Sequence, residues 1–327
     1  MKLNVDAHLW CLGTYAERYV PGGYFEPMDT DRQLEVMSKI AGLTGLFVFF
    51  PTPPLPTDPD KLVRKLAEHN LKLSNLAVEC WADPKYRHGG FSTNEAKVRR
   101  ETVKLFKEAI DYSKEVGAQS VLLWPAHDGL DYPFQCCYRD AWKYLIETIR
   151  EIGEHDPSVT VAVEYKNKDP RQKEYVSNVG RLMMLLNDVG LDNVTGVIDV
   201  GHALMVQENL AESLTILDSH GKLGQIHLNE NYKDSDPDMI FGTINFWEIL
   251  EFFYYLNKSD FEGWCSIDTI VPRDDRAKSL EMGVKLIWRY KRLADILLEH
   301  AAEIDANLQG YRFADNMELI SDLVLKG

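Results

Sequence analysis

Eight short apolar runs alternate strictly with eight stretches of helical period, and few architectures accept that pattern. The runs are KLNVDAH, LTGLFVFF, LKLSNLAVE, AQSVLLW, VTVAVE, VTGVID, LGQIH and GWCSID. Their apolarity is continuous rather than alternating, as expected for parallel strands buried on both faces. Helical period recurs near 30–41, 59–69, 94–116, 138–154, 174–189, 206–219, 245–257 and 275–305. Such regular alternation predicts an α/β fold, a (β/α)8 TIM barrel. Local signals agree: Ser92-Thr93-Asn94 precedes a charged helix and Gly117 follows it. Residues 1–305 read as the barrel, and 306–327 as a short C-terminal helical tail.

Composition narrows the function classes. The 327 residues are 45% hydrophobic and 27% charged, ample for a large core. The formal charge of −15 repels a phosphate backbone, so a nucleic-acid partner is not expected. The same charge suits a protein that binds divalent cations. Cys11, Cys80, Cys136, Cys137 and Cys265 form neither a disulfide framework nor a Cys-x-x-Cys pair. They read as thiols of a reducing compartment. The opening MKLNVDAHLW is too short and polar for a signal peptide, and no run approaches the roughly 20 apolar residues of a membrane span. A cytoplasmic protein with no membrane partner is therefore expected.

The last four runs end in metal-ligand residue types. Glu164 closes VTVAVE, Asp199 closes VTGVID, His227 closes LGQIH and Asp268 closes GWCSID. His202 follows Asp199 across a glycine, Gly201, read as the site of a tight turn. Asp236 and Asp238 share one loop after His227. Lys166 stands two residues after Glu164, on the same side of an extended chain, where an ion pair between the two is the plainer reading. Each signal is weak singly. Their shared position after successive strands places them at one mouth of the barrel, where this architecture carries its chemistry. Oxygen-rich ligands with two imidazoles suit Mg2+, Mn2+ or Co2+ better than a thiolate metal, and there are enough candidates for two divalent cations.

The motifs VECWADPKYRHGGFSTNEAKVRR, EVGAQSVLLWPAHDG, EYKNKDP, DVGH and the Asp-x-Asp loop resemble, in order and spacing, those of the xylose isomerases. The resemblance runs over roughly 1–305. It implies a barrel that interconverts aldoses and ketoses. One cation would use Glu164, Asp199, His227 and Asp268; a second would use Asp199, His202, Asp236 and Asp238. Lys166 would hydrogen-bond the carbonyl oxygen at C1, with Glu164 and Asp268 also in the catalytic set. Trp81 and Trp124 would wall the reacting carbons, with Trp10, His8 and Asp128 as further substrate-binding positions. Two departures stand out. Where the family carries a ring-opening His-Asp pair after strand 2, this chain has FFPTPPLP, with Pro51 and Thr52. His227 stands where xylose isomerases carry an aspartate, as in the metal-dependent rhamnose isomerases. His8 or His127 are the candidates for a relocated base.

The expected function is a divalent-metal-dependent sugar isomerase working by hydride shift on an open-chain sugar. A homo-oligomer, dimer or tetramer, is expected. The alternative is a keto-sugar epimerase or sugar-conjugate lyase working through an enediolate, although Asp268 is a shorter acid than such enzymes use. A nuclease related to endonuclease IV would share barrel and metals, but the acidic charge opposes it. A non-catalytic sugar-binding barrel would not require Glu164, Lys166 and Asp268 together.

Overall fold

The computed structural model describes residues 2–325, so Met1, Lys326 and Gly327 at the two ends of the expected segments lie outside the described residues. Eight parallel strands close a barrel in chain order: β1 (Asn4–His8), β2 (Gly45–Phe50), β3 (Lys72–Val78), β4 (Ser120–Leu123), β6 (Thr160–Glu164), β8 (Val194–Asp199), β9 (Leu223–Leu228) and β10 (Trp264–Ile267). These are the eight runs of the sequence. The intervening β5 (Gly129–Leu130) and β7 (Lys173–Glu174) pair antiparallel as a small ribbon outside the barrel.

The two-residue strand period sorts the bore into layers. The lowest is polar, with Asp6, Asn75, Ser120 and Gln225 all buried. Above it Phe47, Ala77, Leu122, Ala162 and Val197 form an apolar cluster of their own, separate from the larger core between strands and helices. The next inward positions are Trp124, Glu164 and Asp199, two residues beyond Leu122, Ala162 and Val197. A packed apolar layer therefore underlies the polar mouth, as a barrel core requires.

Eleven α-helices lie among the described residues, from α1 (Thr30–Ser38), α2 (Pro59–Glu68), α3 (Ala96–Val116) and α4 (Tyr138–Gly153) to α5 (Val179–Val189), α6 (Val200–Met205) and α7 (Leu210–Ser219). α8 (Phe246–Lys258), α9 (Arg276–Glu299), α10 (Ala301–Gln309) and α11 (Phe313–Leu325) follow. Asp29 and Asp58 cap α1 and α2 through their side chains, and Gly117 ends α3 in the left-handed region, φ 70°. Three local expectations shift. Ser92 does not cap α3, which begins at Ala96; its hydroxyl is taken by Asp128. α5 starts at Val179 rather than near 174, because Lys173 and Glu174 are committed to the ribbon. The long helix expected over 275–305 is divided at His300 into α9 and α10.

Candidate active site

The mouth is built from strand ends brought together by the barrel's order. Asp199 and His227 are register partners across β8 and β9, and Glu164 sits opposite Val197 across β6 and β8. One ligand atom from each of Glu164, Asp199 and His227 lies within 4.8 Å of the other two, and all three residues are buried. His227 Nδ1 is 3.4 Å from Glu164 Oε1 and 4.0 Å from Asp199 Oδ2. Asp199 also caps α6: its Oδ1 accepts from the His202 backbone N–H at 2.9 Å. Its Oδ2 accepts from the Asn229 amide at 3.1 Å. Burial raises the pKa of Asp199, with Glu164 and Asp236 adding to it and the two imidazoles opposing. Burial alone would lower His227, but Glu164 and Asp199 outweigh it and raise its pKa.

A second group adjoins the first. His202 Nδ1 hydrogen-bonds the Tyr165 carbonyl at 2.9 Å, which turns Nε2 toward Asp236 Oδ2 at 3.1 Å. Asp236 Oδ2 is also 2.8 Å from the Lys166 ammonium, which lies over the Trp124 ring at 5.3 Å. Lys166 is buried, which favours its neutral form, yet Asp236, Asp238 and Asp169 together hold it charged. The Asn229 amide donates to Asp238 Oδ1 at 3.1 Å, so Asn229 bridges Asp199 and Asp238. The loop between is tied down: Glu230 bridges to Met239, and the Glu230 carboxylate accepts from the Thr243, Ile244 and Asn245 backbone N–H groups.

Both groups face one cavity of about 310 Å³, walled by Trp10, Phe49, Trp81, Leu122 and Trp124. Trp81 and Trp124 meet edge to face at 5.2 Å. Asp268 and His8 add to the polar lining. His227 Nδ1, Asp236 Oδ1 and Asp268 Oδ1 are buried and make no hydrogen bond among the described residues. Buried polar atoms without partners are costly unless something else satisfies them. Clustered with Glu164 and Asp199, they fit an oxygen-preferring divalent cation.

A family model described as xylose isomerase-like TIM barrel matches residues 37–288. The chain belongs to that family. It is 24% identical over 218 residues to a xylose isomerase of Thermus caldophilus, covering 64% of this chain and 56% of the relative. It is 25% identical over 270 residues to a xylose isomerase of Listeria welshimeri, covering 78% and 57%. The chain thus spans little more than half the length of these curated relatives. A solved structure of L-ribulose 3-epimerase superposes with a TM-score of 0.73 at 15% identity, covering 92% of this chain and 98% of that one, a likeness of fold.

Within this xylose isomerase-like barrel, the expected site residues divide. Glu164, Lys166, His202, His227, Asp236, Asp238 and Asp268 line one cavity together with His8, Trp10, Trp81 and Trp124, and Asp199 is buried beside them. Asp268 lies outside the tight Glu164–Asp199–His227 triad. Four of the expectations meet other surroundings. Asp128 is not a cavity residue: its carboxylate accepts from the Gly90 and Phe91 backbone N–H groups and the Ser92 hydroxyl, holding the 90–92 turn. His127 is not in the cavity lining either, and its Nε2 is engaged with the Trp81 carbonyl at 3.2 Å. Lys166 pairs with Asp236 rather than with Glu164 as its spacing suggested. Gly201 lies not in a turn but in the first turn of α6, where an added Cβ would collide with Asn229 Oδ1 and sit 2.9 Å from Asp236 Oδ1.

The cavity also contains a residue that sequence reasoning passed over, Glu79. It closes LKLSNLAVE, so the strand-end logic that found Glu164 and Asp199 would have found it.

Proposed function

We propose that this chain is a divalent-cation-dependent aldose–ketose isomerase that moves hydride between C1 and C2 of an open-chain sugar. The observation that carries this reading is the meeting of two carboxylate–imidazole sets in one aromatic-walled cavity, with a buried ammonium between them. Glu164, Asp199, His227 and Asp268 would hold one cation; His202, Asp236 and Asp238, with Asp199 shared, would hold a second. Such cations supply Lewis acidity toward the sugar's hydroxyl and carbonyl oxygens. Lys166 donates a hydrogen bond to the carbonyl oxygen as negative charge grows there. Trp81, Trp124 and Phe49 exclude water from the reacting carbons, which favours internal hydride transfer over exchange with solvent. The names of the Thermus and Listeria relatives support a sugar as substrate.

Ring opening falls to His8 rather than His127. His8 lines the cavity, stacks on Phe47 at 4.1 Å, and is kept neutral near pH 7 because burial, then His227, lowers its pKa well below the usual value. Thr52, in the loop where the family keeps its histidine, is buried with its hydroxyl bonded to the Pro56 carbonyl.

A second reading, epimerisation through an enediolate, draws on Glu164 and Asp268 both lining the cavity and on the fold likeness to an L-ribulose 3-epimerase. A panel of aldoses and ketoses with Mn2+, Co2+ or Mg2+ in deuterated water separates the two. Aldose–ketose conversion without solvent deuterium at carbon is the expected result. Deuterium incorporation with inversion at one carbon would replace the isomerase by the epimerase.

A further inference from the structure

Beneath the candidate cation site, a single file of hydrogen bonds crosses the barrel bore. His227 Nε2 lies 3.1 Å from Gln225 Oε1. The Gln225 amide nitrogen donates to Ser120 Oγ at 2.7 Å. The Ser120 hydroxyl donates to Asn75 Oδ1 at 2.6 Å. The four residues come from β9, β4 and β3, and each is 1% exposed. Gln225 precedes His227 by two positions, so both side chains point into the bore.

With Asn75 presenting Oδ1 to Ser120, each link sets the next. Ser120 has one proton and gives it to Asn75, so only its lone pairs remain for Gln225. They require the amide NH2 end of Gln225, which turns Oε1 toward the imidazole. In this arrangement His227 carries a proton on Nε2 and gives it to Gln225 Oε1. Its Nδ1, buried and 3.4 Å from Glu164 Oε1 and 4.0 Å from Asp199 Oδ2, is the nitrogen left to face the carboxylates, where a cation would take the place of a proton.

We propose that Gln225, oriented by Ser120 and Asn75, is a positioning residue that fixes His227 in the one tautomer able to offer Nδ1 to a cation. The proposal rests on the metal-centre reading above and adds to it the reason that this imidazole arrives preset. An acceptor behind a ligating histidine typically changes metal affinity by about 10- to 100-fold.

The test measures Mn2+ affinity by calorimetry and identifies the ligating nitrogen by NMR of 15N-histidine protein loaded with NMR-active cadmium. In the wild type, cadmium–nitrogen coupling is expected at Nδ1 of His227, with Nε2 still protonated. Gln225→Met is expected to weaken Mn2+ binding by about 10- to 100-fold. Gln225→Glu, whose carboxylate still accepts from Nε2–H, is expected to bind nearly as tightly as wild type. Ser120→Ala keeps Gln225 but frees its amide to turn, so a smaller loss is expected even if Gln225→Met folds poorly. Coordination through Nε2, or unchanged affinity in Ser120→Ala and Gln225→Met, overturns the relay and leaves the metal centre standing. An equal loss in Gln225→Glu assigns Gln225 to packing alone and overturns it as well. A wild type that binds no divalent cation removes the metal centre itself, and the relay with it.

Discussion

Lys166 is the residue whose surroundings most restrict its role. Its ammonium is buried between the Trp124 ring and Asp236, and is kept charged by the carboxylates around it. Lys166→Met is expected to lower kcat by about 10²–10³, while Mn2+ affinity at the Glu164–Asp199–His227 set changes far less. Parallel turnover assays and metal titrations check this, and near-normal turnover would leave Lys166 a structural partner of Asp236. Asp236→Asn combined with Asp238→Asn is expected to spare that first set and abolish isomerisation; a fully active double variant would point to a one-cation enzyme. At this scale the sequence was informative about residue type and misleading about pairing. Lys166 stands two positions from Glu164, yet a loop far along the chain supplies its shortest ion pair, with Asp236. Asp128 carries the right chemistry for a site, but its acceptors are consumed by the 90–92 turn. Local sequence does not record which hydrogen-bond donors a fold will bring to a carboxylate.

Among the elements, the β5–β7 ribbon makes the sharpest prediction. Glu174 is buried there, and neither carboxylate oxygen has a hydrogen bond among the described residues. Burial raises its pKa to about 9, against the opposing pull of Lys166 and His202. The folded protein therefore holds a proton that the unfolded chain releases above an ordinary glutamate pKa of 4.5. Stability is expected to fall as pH rises between those values, by up to roughly 1.4 kcal/mol per pH unit. Glu174→Gln, neutral at every pH, is expected to flatten that slope and to be the more stable form at alkaline pH. Denaturant melts across the range measure it; an unchanged slope would show that Glu174 ionises freely when folded. The short helix α6 gives a second test. Gly201→Ala places a methyl group against Asn229 and Asp236, and overpacking of this kind costs about 1–3 kcal/mol. Thermal unfolding reads the loss, and full stability would mean that the loop carrying Asp236 yields.

For the whole molecule, the proposed cation at the ends of β6, β8 and β9 would link strands from distant parts of the chain. It would bind the folded state in preference to the unfolded one. A cation at a hundredfold excess over its Kd is expected to add about 2.7 kcal/mol, seen as a Tm higher by several degrees and reversed by a chelator. A Tm unmoved by saturating Mn2+ would contradict a preformed site. Among the described residues no helix is long and apolar enough to cross a membrane, and Cys11, Cys80, Cys136, Cys137 and Cys265 are free thiols.

Periodicity and burial pattern are local properties, so the strands, their alternation with helices and the closed parallel barrel were legible in the sequence alone. So were the ligand types at the strand ends, because a residue that closes a barrel strand emerges at the mouth whatever its neighbours. Which of those groups meet was decided only by tertiary structure. Register across β8 and β9 set Asp199 beside His227, and Asn229 tied Asp199 to Asp238. The bore joined Gln225 to Ser120 and Asn75. Such contacts depend on the stagger of strands around a closed sheet, and stagger is a property of the assembled barrel rather than of any segment within it.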